Sequence, residues 1–171
     1  MKYLAIKPCD KVKNPIEIEG FHSQMRINFT KEEIHQINKI TTLYFKGNNE
    51  SVFLDVYTWP LFLVSEKVKD IIEAYEHRVI FKSAVLTNIE HKIQKLYYLM
   101  IVDKVDCIAS STQYRFDKIT KLVIDESKAD GRSVFEISDS KDHYLIFKLN
   151  LMESILRREA QGLAWEEVES K

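Results

Sequence analysis

A chain of 171 residues with 45% apolar and 30% charged residues has the make-up of one soluble globular domain, able to bury roughly 70% of its unfolded surface. A net charge of −1 excludes the global basic field that nucleic acid or anionic lipid would need. Four glycines and three prolines exclude long flexible linkers. Residues 1–46 carry eight Lys/Arg against five Asp/Glu and the remainder seventeen against twenty-one, an asymmetry too small to name a partner. Two isolated cysteines, Cys9 and Cys107, with no CxxC spacing, fit a reducing compartment. The start is too short an apolar run for a signal peptide, and Leu96 to Val102 is the longest such run, against roughly 18–20 residues for a membrane span. A soluble cytoplasmic protein is expected.

Tyr3 to Lys7 predicts a first strand, closed by Pro8; residues 8–20 are polar and turn-rich. Met25 to Phe29 alternates as a half-buried strand does. Thr30-Lys-Glu-Glu33 is a capping-box pattern, and Ile34 and Ile37 follow at a spacing that allows a short helix. Ile37 to Phe45 is also rich in β-favouring residues. Gly47-Asn48-Asn49 then reads as a turn to Val52–Tyr57, the second strand of a hairpin.

Trp59-Pro60 is an extended corner, because a residue before proline is pushed out of the helical region. Leu61 to Val64 is a short apolar strand and Ser65 an N-cap. Val68, Ile71, Ile72 and Tyr75 recur at i, i+3, i+4 and i+7, which predicts a helix over 66–75 with one buried face. Arg78 to Leu86 is a strand. Thr87 to Lys95 is a polar link in which Asn88, Ile89 and Ile93 allow one helical turn. Leu96 to Val102, apolar on both faces, predicts a central strand covered on each side.

Ile119–Asp125, Val134–Ile137 and Tyr144–Lys148 read as strands, with turns at Asp130-Gly131 and Ser138–Asp142. Asn150 caps a helix over about 151–160 that buries Met152, Ile155 and Leu156, and Gly162 suits the left-handed position that ends it. Leu163–Val168 reads as a final edge strand. Leu61–Ile80 and Tyr144–Val168 both run strand, polar cap, helix, strand, an echo that reuse of a common unit explains at least as well as duplication.

Local chemistry is sparse. The five histidines (His22, His35, His77, His91, His143) have no metal-ligand spacing and read as surface or hydrogen-bonded side chains. Asp103 and Asp106 beside Cys107 would raise its thiol pKa, so a small buried cysteine is expected rather than a nucleophile. No GxSxG elbow is present. The four glycines are too far apart for a phosphate loop or a dinucleotide fingerprint. Asp103-Lys-Val-Asp106, at a strand end, fits a divalent-cation or proton-sharing site, or equally carboxylates that hold a loop. The second reading is preferred, since a metal site wants a third acid and a wet cleft. Asp125-Glu126 and Glu166-Glu167 read as solvated. Lys2, Lys7, Lys11, Lys13 and Arg157-Arg158 lack interleaved aromatics for stacking bases. Trp59 and Trp165 remain, of the residue type most enriched in interface hot spots.

Three stretches carry a family likeness. Pro60-Leu-Phe-Leu-Val-Ser-Glu-Lys-Val-Lys-Asp-Ile-Ile-Glu is the first, and Lys95-Leu-Tyr-Tyr-Leu-Met-Ile-Val-Asp-Lys-Val-Asp-Cys-Ile the second. The third is the series Val134–Ile137, Tyr144–Lys148, Leu151–Arg157 and Gly162-Leu-Ala-Trp-Glu-Glu-Val. Over roughly 59–168 the chain resembles the immunity proteins of bacterial polymorphic toxin systems, in the group labelled immunity protein eleven. In that family an aspartate closing the Tyr-Tyr-Leu strand recurs, and Asp106 best matches it. The resemblance implies a non-enzymatic cytoplasmic protein that binds and neutralises a cognate toxin domain. Many such proteins are acidic because their toxins are basic nucleases; a charge of −1 departs from that and favours shape-matched occlusion.

The expected fold is therefore one α+β domain over 1–171: a strand-rich part at 1–57, the family-like core at 59–168, and a mostly antiparallel sheet with two amphipathic helices. The expected partner is a toxin domain, with no cofactor, nucleic acid or membrane. Trp59, Asp103, Asp106, Trp165 and Glu166 are its candidate contacts. The alternatives are a metal-dependent enzyme using Asp103 and Asp106, or an adaptor domain.

Overall fold

Ser65 stays extended (φ −67°, ψ 162°) and its hydroxyl accepts from the N–H of Val68 at 3.4 Å, which starts helix α1 (Glu66–Tyr75) where the apolar spacing places it. Val68, Ile71 and Ile72 are buried as predicted. Tyr75 is 38% exposed, and its hydroxyl meets that of Ser154 at 2.5 Å.

The computed structural model describes residues 1–20, 30–138, 140 and 142–171; the strand expected at Met25–Phe29 lies outside them. In chain order the first strands are β1 (Tyr3–Lys7), β2 (Glu17–Ile18), β3 (Ile40–Lys46), β4 (Val56–Tyr57) and β5 (Leu63–Val64). After α1 come β6 (Ile80–Asn88), β7 (Ile93–Ile101), β8 (Lys104–Val105), β9 (Gln113–Arg115), β10 (Lys118–Lys121) and β11 (Val123–Ile124). The last third holds α2 (Glu126–Ala129), β12 (Val134–Ile137), β13 (Leu145–Lys148), α3 (Leu149–Arg157) and β14 (Ala164–Ser170).

Among the described residues these strands make two six-stranded sheets, β11-β14-β1-β13-β12-β8 and β2-β3-β6-β7-β5-β4, plus a separate β9–β10 hairpin. The fold is α+β. The one mostly antiparallel sheet expected from sequence is thus two sheets, in which most pairs are antiparallel but β11–β14, β12–β8 and β3–β6 are parallel.

Alternation along each strand sorts the side chains into three cores. Leu4 and Ile6, Phe62 and Val64, Met100, Leu145 and Phe147 meet α1 and α3 in the central one. Leu43, Phe45, Leu86, Tyr97 and Leu99 fill the opposite face of the second sheet. Tyr3, Phe135, Ile137, Ile146 and Cys107 fill that of the first. Helices α1 and α3 touch each other, α1 lying on β5 and β7 and α3 on β13 and β1.

The two halves share one topology. Helix α1 joins β5 to β6, and β7 lies between them, antiparallel to both. Helix α3 joins β13 to β14, and β1 lies between them, antiparallel to both. Each unit adds an antiparallel strand outside the first of these (β4, β12) and a parallel one outside the second (β3, β11). Five strands of each sheet thus match in order and direction, leaving β2 and β8 outside the repeat, and the second copy takes its middle strand from the chain's other end.

Several local expectations are corrected. Residues 37–45 and 52–57 do not form a hairpin: β3 pairs with β2 and β6, and β4 with β5. The capping box is realised in part, with the Glu33 carboxylate accepting from the Thr30 N–H at 3.0 Å, but it opens only a 3-10 turn over Glu32–Gln36. Asn88 to Ile93 closes a β-hairpin rather than a helical turn. The 119–125 segment splits into β10 and β11. Trp59-Pro60 is a cis peptide. Helix α3 starts at Leu149 and ends at Arg157, with Lys148 rather than Asn150 at its N-cap; Glu159 (φ 55°) turns left-handed before Gly162 (φ 73°) does. Leu156 is 38% exposed rather than buried. Strand β14 is flanked on both sides, so it is not an edge.

Candidate interaction surface

Residues 113–121 protrude as a two-stranded finger that, among the described residues, pairs only with itself. Arg115 and Lys118 face each other across a two-residue loop, Phe116-Asp117, in which both residues have positive φ (50° and 61°). That is the pattern of a type I′ turn, which twists as a hairpin requires but favours Asn and Gly. An isolated hairpin is marginal in water, so its anchoring matters. At its base the buried Thr112 hydroxyl accepts from the Val123 N–H at 3.0 Å and donates to the Val123 carbonyl at 3.1 Å. Ile119 packs on the outer core of the first sheet, and Lys121 pairs with Glu169 at 2.7 Å. The tip is wet: Phe116 is 90% exposed and Tyr114 57%. The Arg115 guanidinium lies 5.6 Å from the Phe116 ring centroid, a cation–π distance.

The residues singled out from sequence lie elsewhere. Trp59, 41% exposed, stands between two open clefts. One, of about 400 Å³, is lined by Ile6, Lys7, Thr58, His143 and Tyr144; the other, of about 550 Å³, by Ile16, Ile18 and Tyr57 among others. Trp165 is opposite Ile6 in the β14–β1 register and Glu166 opposite Ala5, so the two neighbours project from opposite faces of one strand. Glu166 reaches Lys7 at 3.3 Å, and the Lys7 ammonium sits 4.7 Å from the Tyr144 ring centroid. Lys7 therefore lines the first of the clefts beside Trp59 and also pairs with Glu166, at one end of β1.

Asp103 and Asp106 part company. Asp103 takes Lys31 at 2.6 Å and Arg132 at 3.2 Å. Burial works against its charge, but these two cations outweigh it and hold the carboxyl below its ordinary value. It is one link in a chain of charges continuing through Arg132–Asp130 (3.1 Å), Asp130–Arg78 (3.5 Å) and Arg78–Glu76 (2.7 Å). Asp106 is exposed. Burial, with Asp106 and Asp125 nearby, pushes the Cys107 thiol up to about 11. Among the described residues no three His, Cys, Asp or Glu side chains converge as metal ligands, and Asp103 is already engaged. No helix among them is long and apolar enough to cross a membrane.

A buried carboxylate that sequence reasoning missed is Glu136, 4% exposed, which meets His143 Nδ1 at 2.8 Å across the β12–β13 connection. No spacing signals it, because seven residues and a turn separate the two. The finger was equally silent, since Tyr-Arg-Phe-Asp-Lys contains no glycine or asparagine to mark its turn.

The chain matches no protein-family model, and no curated protein matches it.

Proposed function

We propose that this protein is a cytoplasmic immunity protein, a non-enzymatic inhibitor that occludes a cognate bacterial toxin domain. The observation that carries the reading is the finger: Phe116 stands almost fully in water on a conformationally strained turn, at the end of an otherwise anchored hairpin. A left-handed non-glycine residue costs roughly 1 kcal/mol or more, and a phenylalanine 90% exposed gains the monomer little beyond its contact with Arg115. A partner that buries the ring would gain apolar contact that offsets the turn's cost. The resemblance of residues 59–168 to immunity proteins supplies the partner class, and the near-neutral charge favours fit over electrostatic mimicry. Trp59 and Trp165 are secondary contacts in this reading.

The test is co-expression. The reading expects a neighbouring gene for a large secreted protein, and the last domain of that protein is to be expressed in the cytoplasm alone and with this chain. Arrested growth alone and restored growth together are expected, with Phe116→Ala weakening the rescue. Normal growth with that domain alone would sink the immunity reading.

A further inference from the structure

The finger carries more than an aromatic tip. Its nine residues hold Arg115, Lys118 and Lys121 against a single acid, Asp117. Lys121 is occupied by Glu169, but Arg115 and Lys118 are cross-strand partners, so both cations project from one face beside the Phe116 ring. Adjacent like charges on a pair of strands are mildly destabilising for the free protein. Phe116 and this cation pair together form a probe that is apolar at the end and positive along one side.

We infer that the finger enters a cleft of the toxin domain whose mouth is lined by carboxylates around an apolar pocket. The inference rests on the immunity reading and names the chemistry of its partner: an acid-lined cleft rather than a basic, nucleic-acid-binding groove. A basic groove would repel Arg115 and Lys118. A single-stranded nucleic acid, the other polymer that aromatics and cations can bind, fits less well. The cleft of about 300 Å³ at the base of the finger is lined by Glu166, Glu167 and Glu169 against Lys7 and Lys121, and both lysines are already paired with glutamates of that wall, so neither is left uncommitted for a phosphate chain to follow.

The experiment measures association of residues 1–171 with the purified, catalytically inactivated toxin domain as NaCl rises from about 20 mM to about 500 mM, where screening removes steering. For the wild type, the association rate is expected to fall at least about tenfold over that range. Arg115→Glu with Lys118→Glu should lower the rate at low salt by a similar factor and invert its salt dependence. Phe116→Ala should leave association nearly unchanged and speed dissociation at least about tenfold. All positions are exposed, and unchanged melting temperatures verify folding. Faster association by the charge-reversed variant, or a salt-independent rate, overturns the acid-lined cleft. Binding unaltered by any of the three substitutions overturns the finger but leaves the immunity reading standing. No binding by the wild type overturns both. Tight capture of a dye-labelled oligo(dT) that Phe116→Ala abolishes overturns the protein partner in favour of nucleic acid.

Discussion

The carboxylate of Glu76, at the end of α1, accepts a 2.8 Å hydrogen bond from the backbone N–H of Ser133, which leads into β12 of the other sheet. Both residues are buried. The bond stitches the two halves together at one corner, and Arg78 closes over it with its Nε 2.7 Å from the same carboxylate. Arg78 is 43% exposed, so the ion pair itself contributes little. The buried N–H is the larger stake: Glu76→Ala orphans it and should cost about 1–3 kcal/mol in urea unfolding. Glu76→Gln keeps an acceptor and should cost less. Equal losses for the two variants would show that charge, not the acceptor, matters.

Three carboxylates set the acid limit. For Glu76, Asp55 and Asp103, burial opposes the charge, but hydrogen bonds and neighbouring cations prevail and lower each pKa. Asp55 accepts from the Ser65 hydroxyl at 2.6 Å and the Gln161 N–H at 2.7 Å, with Lys67 at 3.1 Å. A folded pKa below the unfolded one gives stability that is complete above the unfolded value and is lost as pH falls through the folded value. The melting temperature should therefore hold from neutrality to about pH 5 and drop below about pH 4. Asp55→Asn should lower the plateau and flatten the acid slope. An unchanged slope would remove Asp55 from this account.

Phe116 and Asp117 invite a substitution that separates stability from binding. Phe116→Asn with Asp117→Gly supplies the residue pair that a type I′ turn prefers. It relieves two strained positions and should stabilise the hairpin by about 1–2 kcal/mol. Amide exchange in β9 and β10 should slow while rescue from the toxin is lost. Faster exchange would mean that the ring holds the finger in place.

Cys107 and Cys9 differ in reach. Cys107 is fully buried with its thiol pushed up to about 11, whereas Cys9 is partly exposed. Thiolate is the reacting form, so a disulfide reagent near neutral pH should titrate one thiol in the native protein and two in urea. Rapid native reaction at both would contradict the buried site.

The hairpin β6–β7 and the pair β14–β1 occupy matching places in the two repeats. Joining residue 171 to residue 1 through a short glycine–serine linker, and opening the chain between Ile89 and Lys92, exchanges which repeat is interrupted. This permutant should still unfold cooperatively. Loss of the cooperative transition would mark the β6–β7 turn as indispensable.

What could be read along the chain was whatever neighbours in sequence decide. Ser65 with Val68, Ile71 and Ile72 fixes α1, and the short, mainly apolar runs at Val134–Ile137 and Leu145–Phe147, separated by a polar turn, mark β12 and β13, because cap, period and local composition act within a few residues. Hidden were the relations between distant residues. Gly47-Asn48-Asn49 is a good turn, but tertiary pairing sends β3 to β6 instead of to its neighbour. Asp103 finds Lys31 and Arg132, neither of which its own surroundings announce. The candidate site divides the same way. Trp59 and Trp165 were recognisable by type and are half-exposed, while the Phe116 tip depends on a backbone conformation that its residues do not advertise.

Strand β1 is synthesised before every other strand described, yet its partners β13 and β14 come last among them. The unit from β3 to β7 can close as soon as it leaves the ribosome, because every strand it needs lies within one continuous segment. The other unit must keep Tyr3–Lys7 waiting, both edges unpaired, until residues 145–170 have emerged. That half therefore closes late in synthesis, and its first strand is most open to chaperones and to mispairing during the interval.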